Sequence, residues 1–338
     1  MEIHLNISFP RIPCEILTLD VMDLSGDQQT GIMSGVNKVR LAPVAEGSHP
    51  IEIKPLDLHA VDEVAIHLSP DYCGSCYNAP APPNAKKAGC CQTCEEVREA
   101  YGAISWAFGL GEGVEQCVRE GYGVALSEHR AEGCRIEGDI RVNKVAGNFH
   151  IAPGRSFSNM NVHVHDLETF FNSPIEGGHT FTHKIHHLRF GPKLPDLVRE
   201  RMRSKAFPEI GMETGVNPLD GTEQATDETS YNYMYFVKVV STAYLPLGHQ
   251  QQKPVSQELQ GKSADELVRL GTYGTGIDGS IETHQYSVTS HKRSLFGGDD
   301  GKDGHKEVLH ARGGIPGVFF SYVSPTDARA AMTTKQDS

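Results

Sequence analysis

The feature that most constrains this 338-residue chain is the placement of its eight cysteines. Cys73, Cys76, Cys90, Cys91 and Cys94 fall within 22 positions, and Cys14, Cys117 and Cys134 lie outside that cluster. With Pro80, Pro82 and Pro83 in its middle, the segment reads as a loop rather than a helix or strand. Such a loop has little core of its own, so crosslinks or a metal must hold it. An even, clustered set of thiols fits either an oxidising compartment or a metal site.

Three chemistries compete for the cluster. Cys73-x2-Cys76 and Cys91-x2-Cys94, separated by fourteen residues, could offer four thiolates to structural zinc. That spacing is one residue short of the usual window, and Cys90 is left without a role. A disulfide framework ranks first. The cluster plus Cys117 allows fifteen pairings among six cysteines, and Cys14 with Cys134 forms a separate pair joining the N-terminal region to the sheet. Thiol–disulfide exchange ranks second. Cys94 follows a Thr93 cap, and helix amides there favour a thiolate, beside a vicinal Cys90–Cys91 pair. No βαβ pattern surrounds either C-x-x-C, which argues against a thioredoxin-like enzyme.

Around the cluster the chain reads as β-structure. EILTLDVMDL and HPIEIKPLDL alternate roughly apolar with polar. In CRIEGDIRV, Cys134, Ile136, Ile140 and Val142 share one face while Arg135, Glu137, Asp139 and Arg141 share the other, a half-buried strand. The parity of TFTHKIHHLRF slips between Ile185 and Leu188, which predicts a bulge near His186 and His187. YNYMYFVKVV is apolar on both faces and reads as a central strand buried on two sides. One helix is legible. Thr93 and Glu96 fit a capping box, Val97, Tyr101, Ile104 and Phe108 form one stripe, and Gly109, Gly111 and Gly113 end it.

The expected fold is therefore mainly β, a twisted antiparallel β-sandwich with a cysteine-rich loop and one or two helices appended. Residues 1–69 and 130–324 form the sandwich, 70–129 the cysteine-rich helical insertion, and 325–338 a disordered tail. Residues 246–282 and 294–314 read as long mobile loops. The GTYGTG run lacks the setting of a phosphate loop.

Composition excludes several classes. The formal net charge is −12. The grouped Arg199, Arg201, Arg203 and Lys205 are interrupted by Glu200, a solvated face rather than a nucleic-acid surface. No window of 18 apolar residues spans a membrane, and the N-terminus lacks the pattern of a signal peptide. No G-x-S-x-G, H-E-x-x-H or Walker motif points to an enzyme. His163 and His165 simply share a strand face, so no metal ligand set and no cofactor is assigned.

Several segments resemble the large, cysteine-rich subunit of the endoplasmic reticulum–Golgi intermediate compartment protein family. They are FPRIPCEILTLDVMD, CGSCYNA, CCQTCEEVREAY, EGCRIEGDIRVNKVAGNFHIAPG, NPLDG, YFVKVV, QYSVT and GIPGVFFSY, in family order from about residue 7 to residue 324. The resemblance implies a twisted β-sandwich on the lumenal side, bracketed in the family by two transmembrane helices that this chain lacks. It implies a receptor cycling between endoplasmic reticulum, intermediate compartment and cis-Golgi, in a hetero-complex with a smaller paralogous subunit. Such receptors return escaped endoplasmic-reticulum residents, and capture is favoured at mildly acidic pH. The CCQTC region, carrying Cys90, Cys91 and Cys94, is the family feature tied to cargo recognition. The two long loops and the C-terminal tail depart from the family pattern.

That implication sets the site expectations. Cys90, Cys91 and Cys94 are read as cargo-binding or redox-active, and Cys73, Cys76 and Cys117 as staples. Among seventeen histidines, two groups are candidate pH sensors, because the ordinary histidine pKa lies between the pH values of the two compartments. They are His163 with His165, and His179, His183, His186 and His187, with His183 and His187 on one strand face. The blander reading makes each an ordinary hydrogen-bonded side chain. Asn6 in Asn6-Ile7-Ser8 is a glycosylation acceptor. The alternatives to a cargo receptor are a lumenal thiol–disulfide exchange protein and a structural subunit without cargo contact.

Overall fold

The computed structural model describes residues 1–23, 35–55, 71–83, 85–104, 106, 108–109, 111–154, 156–159, 162–165, 167–171, 178–191, 217–244, 281–295 and 314–323. The tail 325–338, the basic group at 199–205, GTYGTG and most of the two long loops lie outside the described residues.

Thirteen described strands carry the fold. They are β1 (Glu2–Phe9), β2 (Leu17–Asp23), β3 (Gly35–Leu41), β4 (Pro50–Pro55), β5 (Gly133–Arg141), β6 (Gly147–Pro153), β7 (Ser156–Asn159), β8 (Val162–His165), β9 (His183–Phe190), β10 (Glu223–Gln224), β11 (Tyr231–Tyr244), β12 (Ile281–Ser294) and β13 (Gly317–Val323). Helices α1 (Cys94–Ala103), α2 (Glu115–Arg119), α3 (Tyr122–Glu128) and α4 (Glu168–Phe171) are short. One sheet runs β10-β9-β1-β5-β3-β4, a second runs β12-β11-β13-β6-β2, and β7-β8 forms a separate hairpin. The pairings are antiparallel except β11 with β13, which is parallel.

The two large sheets face each other across one core. Ile3, Leu5, Ile7 and Phe9 project from β1, and Leu17, Leu19 and Val21 from β2. Between them Phe149 stacks on Phe320 at 4.6 Å, and Phe320 on Tyr235 at 4.9 Å. Each such side chain contributes about 1.5–3 kcal/mol by leaving water. Alternation along β1 and β5 supplies these faces, as the mainly-β expectation requires. Lys38 on β3 also ties the sheets, donating to the carbonyls of Cys14 at 3.0 Å and Leu17 at 2.6 Å.

The bulge falls where the parity slipped. Asn6 pairs with His187 and Ile7 with Ile185, so His186 is the extra residue. The remaining differences are instructive. β11 lies inside its sheet, next to the edge strand β12, and only one of its faces packs into the hydrophobic core. Tyr233, Tyr235, Val237 and Val239 are buried, whereas Phe236 on the other face is 47% exposed. Helix α1 stops at Ala103, before the glycines, with Ile104 as its C-cap. Strand β12 runs beyond the QYSVT segment in both directions. Its His291 and Lys292 are exposed on this edge strand, so a polar run continues the ladder.

Candidate functional site

The cysteine-rich segment folds around a second small core. Val97 and Ala100 of α1, Val114, Ala79 and four half-cystines are buried there. All eight cysteines are paired, as Cys14–Cys134, Cys73–Cys90, Cys76–Cys91 and Cys94–Cys117. Cys90 and Cys91 bond outward to Cys73 and Cys76. Each cysteine read as reactive is bonded to one read as a staple, so the two sets are not separate. Cys94 does open α1, but its sulfur is buried in a bond to Cys117, which leaves no thiolate for the helix amides. The zinc arrangement is likewise replaced by disulfides.

Polar side chains lock this unit. The Thr93 hydroxyl accepts from the Glu96 amide at 3.2 Å, one half of the capping box. The Glu96 carboxylate turns instead to the amides of Lys86, at 2.8 Å, and Gln92. Gln116 is buried, and its Nε2 donates to the carbonyls of Ser75 at 2.8 Å and Cys91 at 2.7 Å. That close approach explains Gly74 in the CGSC turn, since a Cβ there would lie 2.0 Å from the Cys91 carbonyl oxygen. Both oxygens of Glu120 accept from the Cys94 amide at 3.1 Å. Desolvation raises the Glu120 pKa, against the pull of that bond and of Arg119. Arg119 donates to the Tyr72 hydroxyl at 2.9 Å and the Gln92 carbonyl at 2.6 Å.

Outside this framework some apolar side chains face solvent. Trp106, the sole tryptophan, is 46% exposed and meets Tyr101 edge-on at 5.5 Å, while Val118 on α2 is 66% exposed. Of the disulfides, only Cys73–Cys90 has an exposed partner, Cys73.

The candidate histidines scatter. The His163 side chain lies outside the described residues. His165 is buried beside Asp20 and His150. His179 is buried with Nδ1 at 3.1 Å from the Arg11 carbonyl, and burial lowers its pKa. His183 points into the core, between the Phe181 carbonyl at 2.9 Å and the Tyr235 hydroxyl at 2.8 Å. Only His186 and His187 face outward. His186 lies 2.8 Å from the Ser8 hydroxyl, and desolvation, then Lys184 and Arg135, lowers its pKa. His187 lies 2.7 Å from a carboxylate oxygen of Asp220. The shared face expected for His183 and His187 is corrected, because the intervening bulge turns His187 outward while His183 stays with Ile185.

Burial holds the His183 pKa at about 4, which makes it a stability element rather than a sensor at mildly acidic pH. The unfolded chain takes up this proton as pH falls below about 6.5, and the folded chain only near 4. Its contribution is complete above the unfolded value and is lost as pH falls toward 4, by roughly 3 kcal/mol. His183→Gln is expected to flatten that part of the acid sensitivity, read from urea midpoints near neutrality and at about pH 5.

Asn6 sits mid-strand between β5 and β9 on the face away from the core, and its amide donates to Glu137 at 3.2 Å.

A β-sandwich carrying a disulfide-closed appendage belongs to the class of proteins matured in an oxidising compartment. Residues 76–336 match the family described as Endoplasmic reticulum vesicle transporter, and residues 1–30 the family described as Endoplasmic Reticulum-Golgi Intermediate Compartment (ERGIC). The chain is 38% identical to an uncharacterized protein of Schizosaccharomyces pombe, covering 96% of this chain and 71% of that one. It is 34% identical to the ER-derived vesicles protein ERV46 of Saccharomyces cerevisiae, covering 96% and 72%. It is 35% identical to the probable endoplasmic reticulum-Golgi intermediate compartment protein 3 of Dictyostelium discoideum, covering 95% and 68%. The chain belongs to this family of endoplasmic reticulum–Golgi vesicle transport proteins, and its place is the membranes of the endoplasmic reticulum, intermediate compartment and cis-Golgi. Among the described residues no helix is long and apolar enough to cross a membrane.

Proposed function

We propose that this chain is the lumenal part of a non-enzymatic cargo receptor that retrieves escaped endoplasmic-reticulum residents, working with a smaller paralogous subunit. The cysteine-rich unit around residues 70–129 is the cargo-contacting part, and the sandwich is its scaffold. The observation that carries this reading is the exposure of Trp106 and Val118 on a body locked by three disulfides. A rigid aromatic anchor binds at low entropic cost, and tryptophan is the side chain most enriched among binding hot spots. Residues Cys90, Cys91 and Cys94 act here by shaping that surface. The outward His186 and His187 are the remaining described candidates for a pH response, and His187 lies against the Asp220 carboxylate.

The test is capture of endoplasmic-reticulum lumenal proteins by the purified chain, alone and with the smaller subunit, at mildly acidic and neutral pH. Stronger capture at acidic pH is expected. Trp106→Ala should weaken it by roughly tenfold or more, and the double replacement His186→Gln, His187→Gln should flatten its pH dependence. Capture that needs the smaller subunit and ignores Trp106 would make this chain a structural subunit. A thiol-exchange role has one observation in its favour, the exposed Cys73. It requires a mixed disulfide with cargo that Cys73→Ser abolishes.

A further inference from the structure

We propose that Asp20, His150 and His165 form a binding site for one divalent transition-metal ion, best matched by Zn²⁺. The three residues come from different strands. Asp20 on β2 pairs directly with His150 on β6, and both project from the face of that sheet opposite the sandwich core. His165 on β8 closes over them. All three side chains are buried, at 1%, 3% and 0% exposure.

The geometry is that of a coordination face. His150 Nε2 and His165 Nε2 are 3.3 Å apart, His165 Nε2 and an Asp20 carboxylate oxygen 3.4 Å, and His150 Nε2 and the same oxygen 3.7 Å. A tetrahedral zinc with ligands at about 2.0–2.1 Å needs ligand–ligand edges of about 3.3–3.4 Å. Two of the observed edges match that range and the third, at 3.7 Å, is wider, so these three side chains would hold such an ion.

Hydrogen bonds orient the donor atoms of His165 and Asp20. His165 Nδ1 faces the Pro153 carbonyl at 3.1 Å and the Gly154 carbonyl at 3.4 Å, so that nitrogen carries the proton and Nε2 presents its lone pair inward. The Ser156 hydroxyl donates to the other Asp20 oxygen and fixes the carboxylate. His150 stacks on Phe319 with ring centroids 5.0 Å apart. Such outer contacts are what orient metal-bound imidazoles and carboxylates. Two imidazoles with one carboxylate favour zinc and its neighbours over magnesium or calcium, which prefer all-oxygen shells. The competing arrangement is a purely hydrogen-bonded His–His–Asp cluster, with a proton in the centre in place of the metal. The function of the ion here is structural: it pins the β7–β8 hairpin to the sheet, and β7 in turn lies against α1 of the cysteine-rich unit.

The test uses the 338-residue chain with its disulfides intact, stripped by chelator and dialysed against Zn²⁺, with Co²⁺ as the spectroscopic probe. One tightly held Zn²⁺ per chain, a tetrahedral Co²⁺ absorption spectrum and a metal-dependent rise in melting temperature are expected. His165→Gln and Asp20→Asn should each weaken binding at least about 100-fold, and Ser156→Ala, which spares all three ligands, by roughly 10–100-fold. His49→Gln, at an exposed histidine, should leave it unchanged. Near-ultraviolet dichroism checks that each variant is folded. Absence of stoichiometric binding to the native chain, or equal affinity in folded His165→Gln, overturns the proposal and leaves the hydrogen-bonded cluster.

Discussion

Replacing Cys14 and Cys134 together by alanine is expected to lower the unfolding free energy by roughly 4–5 kcal/mol, read from urea denaturation with the slope held in view. The two residues are 120 apart in sequence, and Cys134 is fully buried on β5 between β1 and β3. Opening that ring returns to the unfolded chain the largest loop entropy any crosslink in this protein removes. It also deletes packed sulfur from the main core, where Cys14 and Cys134 sit among Ile12, Ile16 and Ile136. A loss below about 1 kcal/mol would mean that the denatured chain keeps its ends together by other contacts.

The second large effect is local. Replacing Cys76 and Cys91 by serine is expected to melt the cysteine-rich unit while the sandwich remains folded. Half of the eight buried residues of the small core are half-cystines, so little apolar surface remains once a bond is cut. A loop of this size contributes about 3 kcal/mol through its disulfide alone. The buried hydroxyls left behind add a further cost of about 1–3 kcal/mol each. Hydrogen exchange should then show lost protection across residues 71–122 and retained protection in β1, β5 and β9. Cargo capture should disappear with the ordered unit. Unfolding of both parts together would show that the two cores are one cooperative system.

What the sequence revealed follows from the range of the signal. The β5 alternation, the His186 bulge and the Thr93 cap rest on neighbours within a few residues, and each is legible from spacing. The one-sided burial of β11 was not, because an exposed Phe236 looks like a core residue in a string of letters. Disulfide partners could not be assigned within the cluster, since six cysteines close together satisfy many pairings. The Asp20–His150–His165 triangle was invisible for a different reason. Its members are brought together by cross-strand pairing of β2 with β6 and by a hairpin folding over them, and none has another member beside it in sequence. Likewise, His183 and His187 look equivalent in the letters, and only the bulge sends one to the core and the other to solvent.

The four crosslinks also set an order of maturation. Three close within 23 residues or fewer, while Cys14 must wait for a partner 120 residues downstream. At about 5–20 residues per second, that wait is roughly 6–24 s of synthesis. During it the Cys14 thiol shares the chain with the whole cluster before Cys134 has been made. A disulfide between Cys14 and any cluster cysteine would leave an odd number of thiols in the appendage. The cell must therefore either let the short-range bonds form first or reshuffle what Cys14 captures early, and the yield of native protein should track the supply of disulfide isomerase.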